Sequence, residues 1–164
     1  MAHPHIDVIS NMKASNLLRV IEESKYTYIR ENLTIHLHES QIKLLKQVRR
    51  HNKPHHKKVR IQQYKKIDEK SDLFVLHEEK YLENYKKLAK KDLVIVDENP
   101  ENGLPFDVSL TGKGQEILTE ICYLEDMWEE EIGLTDDDRE VLKKLALNSY
   151  EITYNHKKNQ KFIF

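Results

Sequence analysis

Between Leu76 and Cys122 the apolar positions change their period twice, and those changes predict an architecture. In HEEKYLENYKKLAKKDL (77–93), Tyr81, Leu82, Tyr85 and Leu88 fall on one side of a helix. Leu93-Val94-Ile95-Val96 is short and β-branched, which predicts a strand. Asp97 to Pro105 holds the turn residues of a hairpin tip, and Phe106-Asp107-Val108-Ser109-Leu110 alternates as a returning strand. Thr111 then suits the N-cap of a further helix. A helix leading directly into a β-hairpin is the skeleton of a winged helix, a domain type that mostly binds DNA.

The remaining pattern is helical. Asn11 to Leu33 carries Leu17, Leu18, Ile21, Tyr28 and Ile29 on one broad face. A second helix starts at Leu37 to Gln41 and carries Ile42, Leu44, Leu45 and Val48; His51 to His56 breaks it, because Pro54 disfavours helix at and before itself. Val59 to Lys70 predicts a third helix with Ile61, Tyr64 and Ile67 inward, and Ser71 to Leu76 a turn into the helix at 77. Met1 to Asp7 reads as a loose lead. After the hairpin, Gly112 to Glu131 shows Ile117, Ile121, Leu124 and Trp128 at i, i+4, i+7 and i+11, a long narrow stripe. Thr135 caps a last helix whose first turn carries Asp136, Asp137 and Asp138, and whose apolar side is Val141, Leu142, Leu145 and Ala146.

The expected fold is therefore mostly α with a small β-hairpin: one winged helix-turn-helix domain over 1–164, with a DNA-binding core at about 37–110 and dimerisation helices at about 12–33 and 112–150. A small domain hardly needs a long striped helix and another helix after its wing. Pairing with a second copy through Ile117, Ile121, Leu124, Trp128, Leu142 and Leu145 would explain both; a monomeric bundle of the flanking helices is the alternative.

Charge changes the picture more than composition does. The formal charge of −1 hides a polar division. Gln41 to Lys66 holds ten Lys/Arg and no acid, while Glu116 to Glu140 holds eleven acids against Arg139 alone. Such a field orients a protein on a polyanion; two solvated faces of opposite sign are the plainer reading. A chain of 164 residues buries a real core without disulfides. With a lone Cys122, no signal-peptide pattern and no apolar run of membrane-spanning length, a cytoplasmic protein without membrane association is expected.

Little points to bound metals or catalysis. The pairs His3/His5, His36/His38 and His55/His56 lack the converging ligands that zinc needs, so no metal site and no cofactor is expected. Cys122, mid-stripe, reads as a small apolar residue rather than a redox sensor. No phosphate-binding loop, nucleophile elbow or Cys-x-x-Cys set occurs, and the chain is expected not to be an enzyme.

Val108-Ser109-Leu110-Thr111-Gly112-Lys113-Gly114-Gln115-Glu116-Ile117-Leu118 resembles the strand-to-helix junction of MarR-type regulators. Glu129 to Leu142 resembles that family's acidic helix end and final helix, and Leu88 to Val94 is similar to its L-x-x-K-G-L-V, with Asp92 where Gly is usual. Leu37 to Leu45 is similar to the start of its second helix, so the resemblance spans about 12–150. It implies a homodimer that binds an operator in double-stranded DNA and represses transcription. The helix at 77–91 would enter the major groove, where Lys80 and Lys87 meet phosphates or guanine and Asn84 reads adenine. Lys57, Lys58 and Arg60 would contact backbone phosphates. Relatives also bind small aromatic ligands, for which Tyr26, Tyr28, Tyr123 and Trp128 would be the lining if they are not core. The wing departs from the family pattern: it has no Lys or Arg between Lys91 and Lys113, and it carries Asp97, Glu98, Glu101 and Asp107. With Glu78, Glu79 and Glu83 on the reading helix, this keeps open a second possibility, a winged-helix protein acting as an interaction module without sequence-specific DNA binding.

Overall fold

Apolar side chains from four helices and both strands meet in one core: Ile29 from the first long helix and Leu33 just after it, Ile42, Leu45 and Val48 from the next, then Leu88, Val94, Val108, Leu118 and Ile121. The computed structural model describes residues 5–65 and 72–157. Its elements are α1 (Ile6–Ser10), α2 (Ala14–Asn32), α3 (Glu39–His51), α4 (Pro54–Lys65), α5 (Asp72–Lys90), β1 (Val94–Asp97), β2 (Asp107–Leu110), α6 (Gly112–Glu131) and α7 (Asp136–Lys157). The strands pair antiparallel with Val94 opposite Leu110 and Asp97 opposite Asp107, so the hairpin stands where the pattern predicts it. Helices α3, α4 and α5 with this wing make the winged helix, and α2 packs along α6. Among the described residues no helix is long and apolar enough to cross a membrane.

Local chemistry fixes the boundaries. Leu37 and Ile42, both fully buried, flank the start of α3 in the staple arrangement, and Gln41 Oε1 accepts from the His38 N–H at 3.0 Å. Helix α5 ends when the Leu93 N–H reaches the Leu88 carbonyl (3.2 Å) and the Asp92 N–H reaches Ala89 (3.0 Å). That closure requires a left-handed residue, and Asp92 supplies it at φ 63°. Gly133, at φ 68°, ends α6 in the same way, and Thr135 then exchanges two hydrogen bonds with Asp138 to open α7.

Three boundaries differ from the expectation. Pro54 does not hold a loop open; it is the first residue of α4, where a missing N–H costs nothing, so the break shrinks to Asn52 and Lys53. Helix α5 begins at Asp72, so 72–76 is helix rather than turn; a short apolar run carries no period to tell the two apart. Ile6–Ser10 is a short helix that begins within the expected loose lead, Met1 to Asp7, and runs past its end. The expected end of the third helix, 66–70, lies outside the described residues.

Candidate nucleic-acid interface

The outward side of α5 brings together three of the expected DNA-binding residues. Lys80 and Lys87 are exposed and Asn84 is half-buried, while Tyr85 and Leu88 turn into the core and hold the helix in place. Across from them the first turns of α3 form the second wall of a groove of about 410 Å³, lined by His38, Ser40, Gln41, Gln47, Lys80 and Asn84 among others. No local pattern signals that α3 wall, because His38 to Gln41 reads simply as a helix start. Lys43 also borders the groove, but it is committed internally: hydrogen bonds to Glu39 (2.8 Å) and then Glu22 (3.1 Å) hold its ammonium well above the usual lysine range.

The basic run divides into cations held by the protein and cations facing outward. Lys46 pairs with Glu125 of α6, so one part of the basic run does meet the acidic helix. Lys57 pairs with Asp107 of the wing at 2.6 Å. Arg50, Lys53 and Lys58 are exposed and have no acidic partner among the described residues. Arg60 is half-buried, and with burial, Arg50 and His56 it acts on His51, whose imidazole is pushed down to about 4, chiefly by burial. At neutral pH His51 therefore adds no charge to the patch. Lys57, Lys58 and Arg60 stand on α4 and Lys80, Asn84 and Lys87 on α5, two helices of one helix-turn-helix.

Acids border this surface. Glu79 and Glu83 are exposed on α5, and the side chain of Glu78 lies outside the described residues. The acidic end of the chain is partly consumed: Glu120 accepts from the backbone and hydroxyl of Thr34 (2.7 and 2.8 Å), and Glu129 pairs with Arg139 (3.3 Å).

The expected dimerisation stripe has a different partner. Ile117, Ile121, Leu124 and Trp128 are buried within the chain itself, packed where α6 meets Tyr26 and Ile29 of α2, and the Trp128 indole donates to Ser24 Oγ at 3.1 Å. Leu142 and Leu145 are exposed. The aromatic residues considered for a ligand differ in placement: Tyr26 and Trp128 are buried, Tyr28 is half-buried against the core, and Tyr123 is exposed. No cluster of three or more metal-ligating side chains occurs among the described residues, and Cys122 is half-buried with Arg49 Nη1 3.8 Å from its sulfur.

No protein-family model matches the chain, and no curated protein is significantly similar to it. Solved structures are. A crystal structure of MarR superposes with a TM-score of 0.62 at 19% identity, covering 91% of this chain and 96% of that one. A cysteine-to-serine variant of MarR from E. coli, complexed with operator DNA, gives 0.53 at 21% identity and covers 90% and 99%. The superposition takes in nine-tenths of the chain, and the chain has the winged-helix fold of MarR.

Proposed function

We propose that this protein is a cytoplasmic, dimeric transcriptional regulator that binds an operator in double-stranded DNA and acts as a repressor. The observation that carries the reading is the row Lys80, Asn84 and Lys87 on the open side of α5, together with Lys58 of α4, exposed and without an acidic partner among the described residues, in a fold whose structural neighbour is complexed with operator DNA. Asn84 offers the donor and acceptor that read adenine, the two lysines suit guanine or phosphate, and Lys58 with Arg60 suits the backbone.

The dimer rests on α7. Every described side chain of this 22-residue helix is exposed, including Val141, Leu142, Leu145 and Ile152 on one side and Leu147 on the other. Leu18 and Ile21 of α2 and Ile6, Val8 and Ile9 of α1 are exposed too. A helix of this length with large apolar side chains in water is stable when something covers it, and a second copy supplies matching surface. Two copies present two α5 helices to a pseudo-palindromic site.

Selection from random duplexes at moderate salt tests the reading. An enriched inverted repeat is expected. Lys58→Ala weakens binding to all sequences alike, whereas Asn84→Ala changes which sequences are enriched. A folded, dimeric protein that enriches no duplex overturns the reading and favours the interaction module, for which the exposed Glu79 and Glu83 would be the contact surface.

A further inference from the structure

The wing holds two lysines that a DNA-binding surface would otherwise offer to phosphate. Asp107, at the start of β2, is fixed by three donors: Lys57 Nζ at 2.6 Å, Asn102 Nδ2 at 3.2 Å and the Val108 N–H at 3.0 Å. Its side chain is only 18% exposed, so this pair is less screened than a surface ion pair. On the other side of the wing, Glu98 takes Lys86 of α5 at 2.9 Å. The hairpin is also pinned from below, where Asn52 Nδ2 donates to the Val108 carbonyl at 2.8 Å. The strand register sets Asp97 directly opposite Asp107, a like-charge pair that Lys57 relieves.

We propose that the acidic wing is a built-in stand-in for DNA phosphates: Asp107 and Glu98 occupy Lys57 and Lys86 in the free protein, and backbone phosphates take both lysines only by displacing those carboxylates. This rests on the DNA-binding reading above. It gives the anionic hairpin a role opposite to that of a basic wing. Instead of adding contacts in the minor groove, it subtracts two from the free protein's cationic surface and selects for sites whose other contacts are good enough to displace it. Displacing Asp107 also leaves it unrelieved against Asp97, which makes release of Lys57 more costly than breaking an isolated pair.

The consequence is measurable in salt. A lysine already neutralised by a carboxylate releases few counterions when it reaches a phosphate, so it adds little to the salt dependence. The experiment is a titration of a mixed-sequence duplex about three helical turns long, between about 50 and 200 mM salt. The parent is compared with Asp107→Asn/Glu98→Gln, with Glu101→Gln, and with the double variant in a Lys57→Ala/Lys86→Ala background. Glu101 is an exposed wing acid with no cation partner among the described residues, so its removal takes away charge without releasing a lysine. The double variant is expected to bind about three- to tenfold tighter at the lowest salt, with a log–log salt slope steeper by up to about 0.9 for each lysine released. Glu101→Gln changes affinity less than about twofold, and Lys57→Ala/Lys86→Ala removes most of the gain. Thermal unfolding verifies that the double variant folds, and Glu98→Gln alone tests the exposed pair if it does not. An equal gain from Glu101→Gln reduces the effect to general repulsion and overturns the proposal, as does a gain that survives Lys57→Ala/Lys86→Ala, or no gain at all. Absence of duplex binding by the parent in the same titration overturns the DNA-binding reading itself.

Discussion

A Cβ on residue 114 would lie 2.0 Å from the carbonyl oxygen of Leu93. Gly114, in the first turn of α6, is thus the point where that helix sits against the backbone at the end of α5. The same junction is tied by Thr111, whose N–H donates to the Leu93 carbonyl at 3.1 Å and whose hydroxyl accepts from the Gly114 N–H at 2.9 Å. The obstacle is backbone, not a flexible side chain, so it cannot rotate away. Gly114→Ala is expected to cost about 3 kcal/mol or more, read as a lower midpoint in urea. Gly112→Ala, in open space two residues earlier, is the control and should be nearly neutral. Equal midpoints for the two variants would show that the junction relaxes freely.

That junction also shows what the sequence could and could not tell. Thr111, Gly112 and Gly114 are local signals, and the start of α6 and the hairpin before it were legible because capping and turn chemistry act within a few residues. The destination of the α6 stripe was not. Periodicity reveals that Ile117, Ile121, Leu124 and Trp128 must be covered; it is blind to whether α2 or a second chain covers them. The α3 wall of the groove was equally invisible, since His38 to Gln47 meets Lys80 and Asn84 only through tertiary packing. The lysines and Asn84 were legible as types on one helical face, but the capture of Lys57 by Asp107 spans fifty positions and leaves no mark in local pattern.

Asp92 closes α5 in a left-handed conformation at φ 63°, where an L side chain is strained and glycine is not. Its own contribution to the closure is backbone: the N–H to Ala89 and the carbonyl that accepts from Thr111. Asp92→Gly keeps both. The variant is expected to be more stable by about 0.5–1 kcal/mol, visible as a higher melting temperature. A lower melting temperature would mean that the carboxylate itself supports the turn.

His51 ties stability to pH. Its folded imidazole is pushed down to about 4 from the ordinary 6.5, by burial first and then by Arg60, Arg50 and His56. The unfolded chain therefore binds a proton more readily than the folded one between those values, and stability falls as pH drops from about 6.5 towards 4. Above that window the contribution is flat. His51→Gln removes the titration, so the variant should lose less stability than the parent on acidification through this range. Urea midpoints at several pH values give the comparison. Parallel curves for parent and variant would show that His51 protonates in the fold without penalty.

The placement of two apolar stripes separates folding from assembly. Ile121 is fully buried between α6 and α2, whereas Leu145 on α7 is 49% exposed in the single chain. A charge at 121 enters the chain's own core and finds no counterion there, which costs several kcal/mol and removes the folded state before any question of assembly arises. A charge at 145 meets only water in the monomer and becomes costly when a second copy covers it. Leu145→Glu is thus expected to sediment as a monomer with its helical circular dichroism largely kept, while Ile121→Glu loses that signal or aggregates. The order of the two effects carries the argument: if Leu145→Glu remains a dimer, the covering surface is not the face of α7 that holds Val141, Leu142 and Ile152. If the parent is itself a monomer at its highest soluble concentration, a second copy is not what covers that helix.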